Sequence, residues 1–161
     1  MGLDLNPQQI AFCRSRHEGL GLEFQIGSAM ALPFPDASFD MVLNVESFHC
    51  YTNPGKFLRE VHRVLRPNGH LAFADTRVRR SKPLILEATM RRACLEIVCS
   101  CDLTANVREA CALDEARFAT VFDSEKSYLP RTVAAEKVRQ YDAGALRYLA
   151  KVLRKPCPHA L

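Results

Sequence analysis

The chain lacks several marks that would settle its class at once. No segment approaches the roughly 20 consecutive apolar residues that a membrane span needs. The opening residues, MGLDLNPQQ, place no basic region before an apolar stretch, so neither a transmembrane segment nor a secretory leader is expected. No G-x-G-x-x-G occurs, which sets a nicotinamide-dependent reading behind the others. The group Cys94, Cys99 and Cys101 contains no C-x-x-C and has no spaced histidine pair beside it, so no metal site is expected. No internal repeat, low-complexity tract or convincing linker divides the chain.

Charge excess is also missing. The net charge of +4, with 25% charged residues, neither demands nor excludes an anionic partner. Asp75, Arg77, Arg79 and Arg80, joined by Lys82, Arg91 and Arg92, form a charged patch. No aromatic residue is interleaved there for base stacking, so it reads as a solvated helix start, with no nucleic-acid partner. Seven cysteines, an odd number without regular spacing, are expected to be free thiols in a reducing compartment, hence a cytoplasmic protein.

What is present suffices for a core. At 161 residues and 48% hydrophobic, the chain can fold as one domain over residues 1–161. The pattern divides it into a sheet half (1–80), a helical lid or insertion (81–132) and a C-terminal element (133–161). Gly2 to Leu5 reads as a strand, and Asn6-Pro7 as a helix cap with proline in the first turn. Gln8 to Arg16 reads as a helix ended by Gly19 to Gly21. Leu22 to Ile26 follows as a second strand. After the Pro-rich LPFPDAS, Phe39 to Val45 reads as a strand buried on both faces. Phe57, Leu58, Val61, Val64 and Leu65 recur at helical spacing until Pro67-Asn68-Gly69, and His70 to Ala74 makes a fourth strand. Lys82 to Val121 reads as helices with an apolar stripe through Leu84, Leu86, Met90, Leu95 and Val98. LRYLAKVLRKP fits a strand or an amphipathic helix equally. The alternation predicts an α/β fold: a Rossmann-like, doubly wound, mostly parallel sheet with a C-terminal helical segment.

Such sheets bind ligands at the carboxyl ends of their strands. Those ends carry Asp4, Ser28 to Met30, Asn44 to His49, and Asp75 to Arg77. Asp4 can accept both hydroxyls of a ribose or cap a helix. Gly27-Ser28-Ala29-Met30 can let a flat ring lie against backbone N–H groups or form an ordinary turn. Asn44, Glu46 and His49 follow an apolar strand, so their polar groups are expected in a cleft rather than in the core. His49 titrates near neutrality when unperturbed and can take a proton from a hydroxyl, with Glu46 orienting it or holding a ligand's ammonium. The plainer alternative is an exposed loop with incidental polar residues.

These segments resemble the class I S-adenosylmethionine-dependent methyltransferases of the small-molecule kind. GLDLNPQQIAFCRSR is similar to that family's second strand and following helix. GSAMALPFPDASFDMVL is similar to its adenine loop and fourth strand, and FLREVHRVLRPNGHLAFAD to its next helix, turn and fifth strand. The likeness covers about residues 1–77, and NVESFHCY resembles in particular the phthiotriol-type lipid and polyketide O-methyltransferases. It implies S-adenosylmethionine as cofactor, with Asp4 and neighbouring Leu5 at the ribose, Ser28, Ala29 and Met30 at adenine, and Asn44 near the methionine part. It further implies His49 as base and a small or lipid-like substrate, most simply a hydroxyl. Two departures stand out. Ser28 occupies a place where the family usually has an acid, and the family's first strand and glycine-rich turn have no counterpart in this sequence. The resemblance then implies a sheet short of a central strand, with two exposed edges and one open pocket wall, which leaves a homo-oligomer open. A remnant acting as a binding or regulatory partner is the alternative function.

Overall fold

The computed structural model describes residues 1–78, 83–121 and 128–157. Arg79, Arg80 and Lys82 of the charged patch lie outside the described residues. Strand β1 (Gly2–Asp4) leads into helix α1 (Pro7–Arg16) and strand β2 (Phe24–Ile26). Asn6 caps α1 as its sequence requires: its side-chain oxygen accepts the Gln8 N–H at 2.9 Å, and Pro7 occupies the first turn. β1 and β2 pair in parallel as a two-stranded sheet, and α1 buries only Ile10.

Strand β3 (Phe39–Val45), a 3-10 turn (Phe48–Cys50), helix α2 (Pro54–Val64) and strand β4 (Leu65–Val78) follow. Asn53 accepts the Lys56 N–H at 3.0 Å ahead of Pro54, repeating the Asn-Pro start of α1. The apolar stripe of α2 does what its spacing predicts. Phe57, Leu58, Val61 and Val64 are buried, the first three in a core cluster with Phe48, Leu71, Phe73, Leu86, Met90, Leu95 and Leu153. Burial of each such side chain stabilises by about 1.5–3 kcal/mol. Pro67-Asn68-Gly69 lies within the long β4 instead of preceding a short strand. Asn68 takes φ 64°, and a Cβ on Gly69 would sit 2.9 Å from the Arg66 carbonyl, so the chain kinks where β3 and β4 shift register.

Helix α3 (Pro83–Arg92), strand β5 (Glu96–Asp102), helices α4 (Thr104–Val121) and α5 (Tyr128–Asp142) and strand β6 (Leu146–Arg154) complete the chain. The stretch 82–121 expected to be helical therefore contains a strand. Cys94 ends the preceding helix at φ 56°, with Leu95 N–H returning to the Met90 carbonyl at 3.2 Å. A left-handed helix end formed by a non-glycine residue gives no sequence signal. Leu86, Met90 and Leu95 still enter the core, but Val98 sits exposed on β5.

The second sheet has the order β3-β4-β6-β5. β3 runs parallel to β4, and β6 antiparallel to both β4 and β5, so three strands share one direction and β6 opposes them. LRYLAKVLRKP is thus a strand: nine residues of β6 pair with β4 from His70↔Arg154 to Val78↔Leu146. Buried Lys151 pins it from the side, its Nζ donating to Glu87 Oε1 at 2.9 Å and Ser100 Oγ at 2.7 Å. Among the described residues β3 has no pairing on its other edge. Met41, Leu43 and Val45 are exposed, Leu43 by 70%, so β3 is an edge strand and not a strand buried on both faces. Among the described residues no helix is long and apolar enough to cross a membrane.

Candidate functional site

The carboxyl ends of β1, β3 and β4 are linked by short contacts. Asp4 lies at the end of β1, where its carbonyl accepts the Gly27 N–H at 3.0 Å and brings the Ser28 loop alongside. One Asp4 carboxylate oxygen accepts the Asn6 N–H at 2.7 Å. Asp4 and Leu5 are both exposed. A Cβ on Gly27 would meet Leu3 Cδ1 at 2.8 Å, so this loop packs as closely on β1 as glycine permits. Ser28 Oγ accepts the Met30 N–H at 3.2 Å, and Ala29 and Met30 pack against the core. Met30 Sδ accepts from Thr52 Oγ1 at 3.5 Å, tying the loop to the segment after β3.

Arg63 on α2 fixes the Pro-rich loop between these elements. Its guanidinium donates to the carbonyls of Phe34 (2.7 Å) and Leu32 (2.8 Å) and pairs with Asp36 and Glu60. The Arg63 hydrogen bond holds the Glu60 carboxyl below its usual range, and Glu60 in turn accepts the Leu32 N–H at 2.8 Å.

Glu46 turns the chain sharply after β3 at φ 50°. Phe48 then plugs into the core against Phe57, Phe73 and Tyr51 in edge-on ring contacts. With Phe48 anchored, the next residue, His49, is aimed at β4. Its backbone N–H donates to Asp75 Oδ2 at 2.9 Å, and its ring Nδ1 lies 2.6 Å from Asp75 Oδ1. Asp75 is fully buried, whereas the His49 side chain is 44% exposed. A buried carboxylate accepts, so Nδ1 carries the proton and Nε2 presents its lone pair outward.

Glu46, which the sequence suggested could orient His49, makes no hydrogen bond to it among the described residues. It accepts from Thr76 Oγ1 at 3.2 Å and lies 4.0 Å from Lys137 Nζ, on the side where Thr76 also meets Tyr141 OH at 3.3 Å. Burial, reinforced by the Glu46 charge, pushes the Tyr148 phenol up to about 12, and burial likewise raises Tyr141. One ligand atom from each of Glu46, His49 and Asp75 lies within 4.8 Å of the others. Both Asp75 oxygens are already committed to His49, so the arrangement suits a proton-transfer pair better than a metal. Sequence reasoning placed Asp75 at a strand end and in a solvated charged patch, and not as the partner of His49; the structure buries it fully within β4. Thr76, Lys137, Tyr141 and Tyr148 carried no motif.

Asn44 is buried and not in an open cleft. Its amide nitrogen donates to Ser47 Oγ and Tyr51 OH, both at 2.8 Å. Among the described residues its Oδ1 has no partner. An orphaned carbonyl at the carboxyl end of β3 suits a ligand N–H, such as the ammonium of an amino-acid moiety. With the free oxygen of Asp4 and the close-packed Ser28 loop, these residues fit S-adenosylmethionine.

Residues 1–73 match a family model described as a methyltransferase domain. A phthiotriol/phenolphthiotriol dimycocerosates methyltransferase of Mycobacterium leprae is 58% identical over 76 residues, 47% of this chain and 28% of that protein. A fatty-acid O-methyltransferase of Mycolicibacterium smegmatis is 56% identical over 82 residues, 51% of this chain and 30% of that protein. The matched stretch thus spans less than a third of the length of these curated relatives. Among solved structures, phosphoethanolamine N-methyltransferase 2 of Haemonchus contortus with S-adenosyl-L-methionine superposes with a TM-score of 0.78 at 17% identity, covering 97% of this chain and 43% of that one. Residues 1–73 thus carry the sequence of a methyltransferase domain, and the chain shares the fold of a solved S-adenosyl-L-methionine-bound methyltransferase.

Proposed function

We propose that this chain serves methyl transfer from S-adenosylmethionine to a lipid-like acceptor hydroxyl, with His49 as the base and Asp75 as the residue that positions it. The observation that carries this reading is the fully buried Asp75 carboxylate on His49 Nδ1, which leaves Nε2 facing outward at the carboxyl ends of β3 and β4. Asp4 would hold the ribose, Ser28, Ala29 and Met30 the adenine, and the Asn44 carbonyl the methionine part. The bound cofactor supplies an electrophilic methyl on a sulfonium. The residues of this chain then have two tasks, alignment and proton removal. His49 accepts the hydroxyl proton at Nε2, and Asp75 stabilises the imidazolium that results. Glu46, held by Thr76 and near Lys137, keeps the turn that presents His49. The names of the two mycobacterial relatives support a lipid-like acceptor for this chain too. The free state of all seven cysteines suits a reducing compartment, and we place the protein in the cytoplasm.

The test is methyl transfer from labelled S-adenosylmethionine to long-chain alcohols, comparing His49→Gln with the native protein. The expected result is a turnover about 10²–10⁴-fold lower with cofactor affinity preserved. Undiminished turnover would remove His49 from the mechanism.

A further inference from the structure

Beyond the proton-transfer pair, the same face of β4 carries a cation that the reading above does not use. Leu71, Phe73, Asp75 and Arg77 alternate along β4 and so point to one side of the sheet. The first two are in the core, Asp75 meets His49, and the Arg77 guanidinium carbon lies 5.7 Å from the centroid of the Phe48 ring, next in sequence to His49. Arg77 is half-buried, and beyond the Phe48 ring its side chain makes no ion pair or hydrogen bond among the described residues. Asp75, two residues before it on that face, already gives both oxygens to His49.

A second feature sharpens the imbalance. Arg77 stands directly across the β4–β6 ladder from Arg147, so both side chains lie on one face. Directly opposed like charges are unfavourable. Arg147 is neutralised by Asp102, with Nε to Oδ2 at 3.1 Å, but Arg77 is not. A planar guanidinium backed by an aromatic ring, with its donors unused, is preorganised to take a carboxylate with two parallel hydrogen bonds. An anion there would also offset the Arg77–Arg147 repulsion.

We propose that Arg77 is a specificity residue that binds a carboxylate on the acceptor beside His49, so that the site prefers amphipathic acids to neutral lipids. This rests on the reading of the site as one for a lipid-like acceptor, but its test does not need methyl transfer. Decanoate and 1-decanol are titrated separately into the full chain and followed by amide and arginine Nε–H NMR shifts, for the native protein, Arg77→Met and Arg77→Lys. Decanoate is expected to bind at least about tenfold more tightly than decanol, from the usual strength of a charge-assisted hydrogen bond. Arg77→Met should abolish that preference while leaving decanol binding unchanged, and Arg77→Lys should keep part of it. Equal affinity for acid and alcohol, an unaltered preference in Arg77→Met, or no saturable binding of decanoate would each overturn the proposal. S-adenosylmethionine affinity, measured on the same samples, separates the two ideas. Its absence with decanoate binding intact would count against methyl transfer and leave the carboxylate site standing.

Discussion

Replacing Asp75 by asparagine is the sharpest perturbation of the proton-transfer pair. Two donors converge on this buried carboxylate, the His49 backbone N–H at 2.9 Å and the ring Nδ1 at 2.6 Å. Asparagine offers one acceptor where aspartate offers two. The backbone N–H cannot give up its proton, so it claims the amide oxygen, and the amide NH₂ is left facing Nδ1. Histidine can answer only by moving its proton to Nε2, which removes the outward lone pair. Turnover should therefore fall about 10²–10⁴-fold, the usual worth of a general base, with cofactor binding unchanged. Hydrogen bonds to a charged acceptor contribute about 1.5–3 kcal/mol against about 1 for neutral ones. The variant should then be less stable by about 1–3 kcal/mol, a fall in Tm of roughly 2–10 °C for a chain of this size. Long-range ¹H–¹⁵N correlation spectra of the imidazole read the tautomer directly. An Asp75→Asn protein that keeps the Nδ1–H tautomer, or that keeps full turnover, would refute the reasoning.

Three further outcomes follow from the packing and charges. Phe48→Ala removes the ring that anchors the turn among Phe57, Phe73 and Tyr51, and urea unfolding should show a loss of about 3–5 kcal/mol. Leu43→Lys, at a side chain 70% exposed on the unpaired edge of β3, should change stability by less than about 0.5 kcal/mol; a large loss would show that this edge is covered in solution. Hydrogen bonds from Thr104 and then Arg147 hold the Asp102 carboxyl down to about 2, against an ordinary 3.8. A depressed folded value contributes stability above pH 3.8 that is lost as pH falls towards about 2. Melting of Asp102→Asn and native protein should accordingly differ at pH 7 and converge near pH 2, and a gap unchanged by pH would contradict it.

Much of the scaffold was legible because its signals are local. Asn6-Pro7 and Asn53-Pro54 announce two helix starts through side chains that bond N–H groups two or three residues on. The stripe from Phe57 to Val64 declares the buried face of α2. The C-terminal half was less legible, since Cys94 ends α3 in a left-handed conformation without a glycine. β6 satisfies strand and helix spacing alike until β4 and β5 are there to pair with it. The site divides in the same way. His49 stood out by type and place, but its partner Asp75 is 26 residues away and meets it only when β3 and β4 align. The exposure of β3 had no local sign either, because an apolar edge strand and an apolar central strand share one composition.

The claim on which the rest depends is that the strand ends around Asp4, Ser28 and Asn44 form a seat for S-adenosylmethionine. Calorimetric titration of the purified chain with the cofactor, in parallel with Asp4→Ala, tests it most directly. The account predicts saturable binding to the native chain and an affinity lower by about tenfold or more in the variant, as loss of a charge-assisted ribose contact implies. No heat at millimolar cofactor, or equal binding by both proteins, would contradict it.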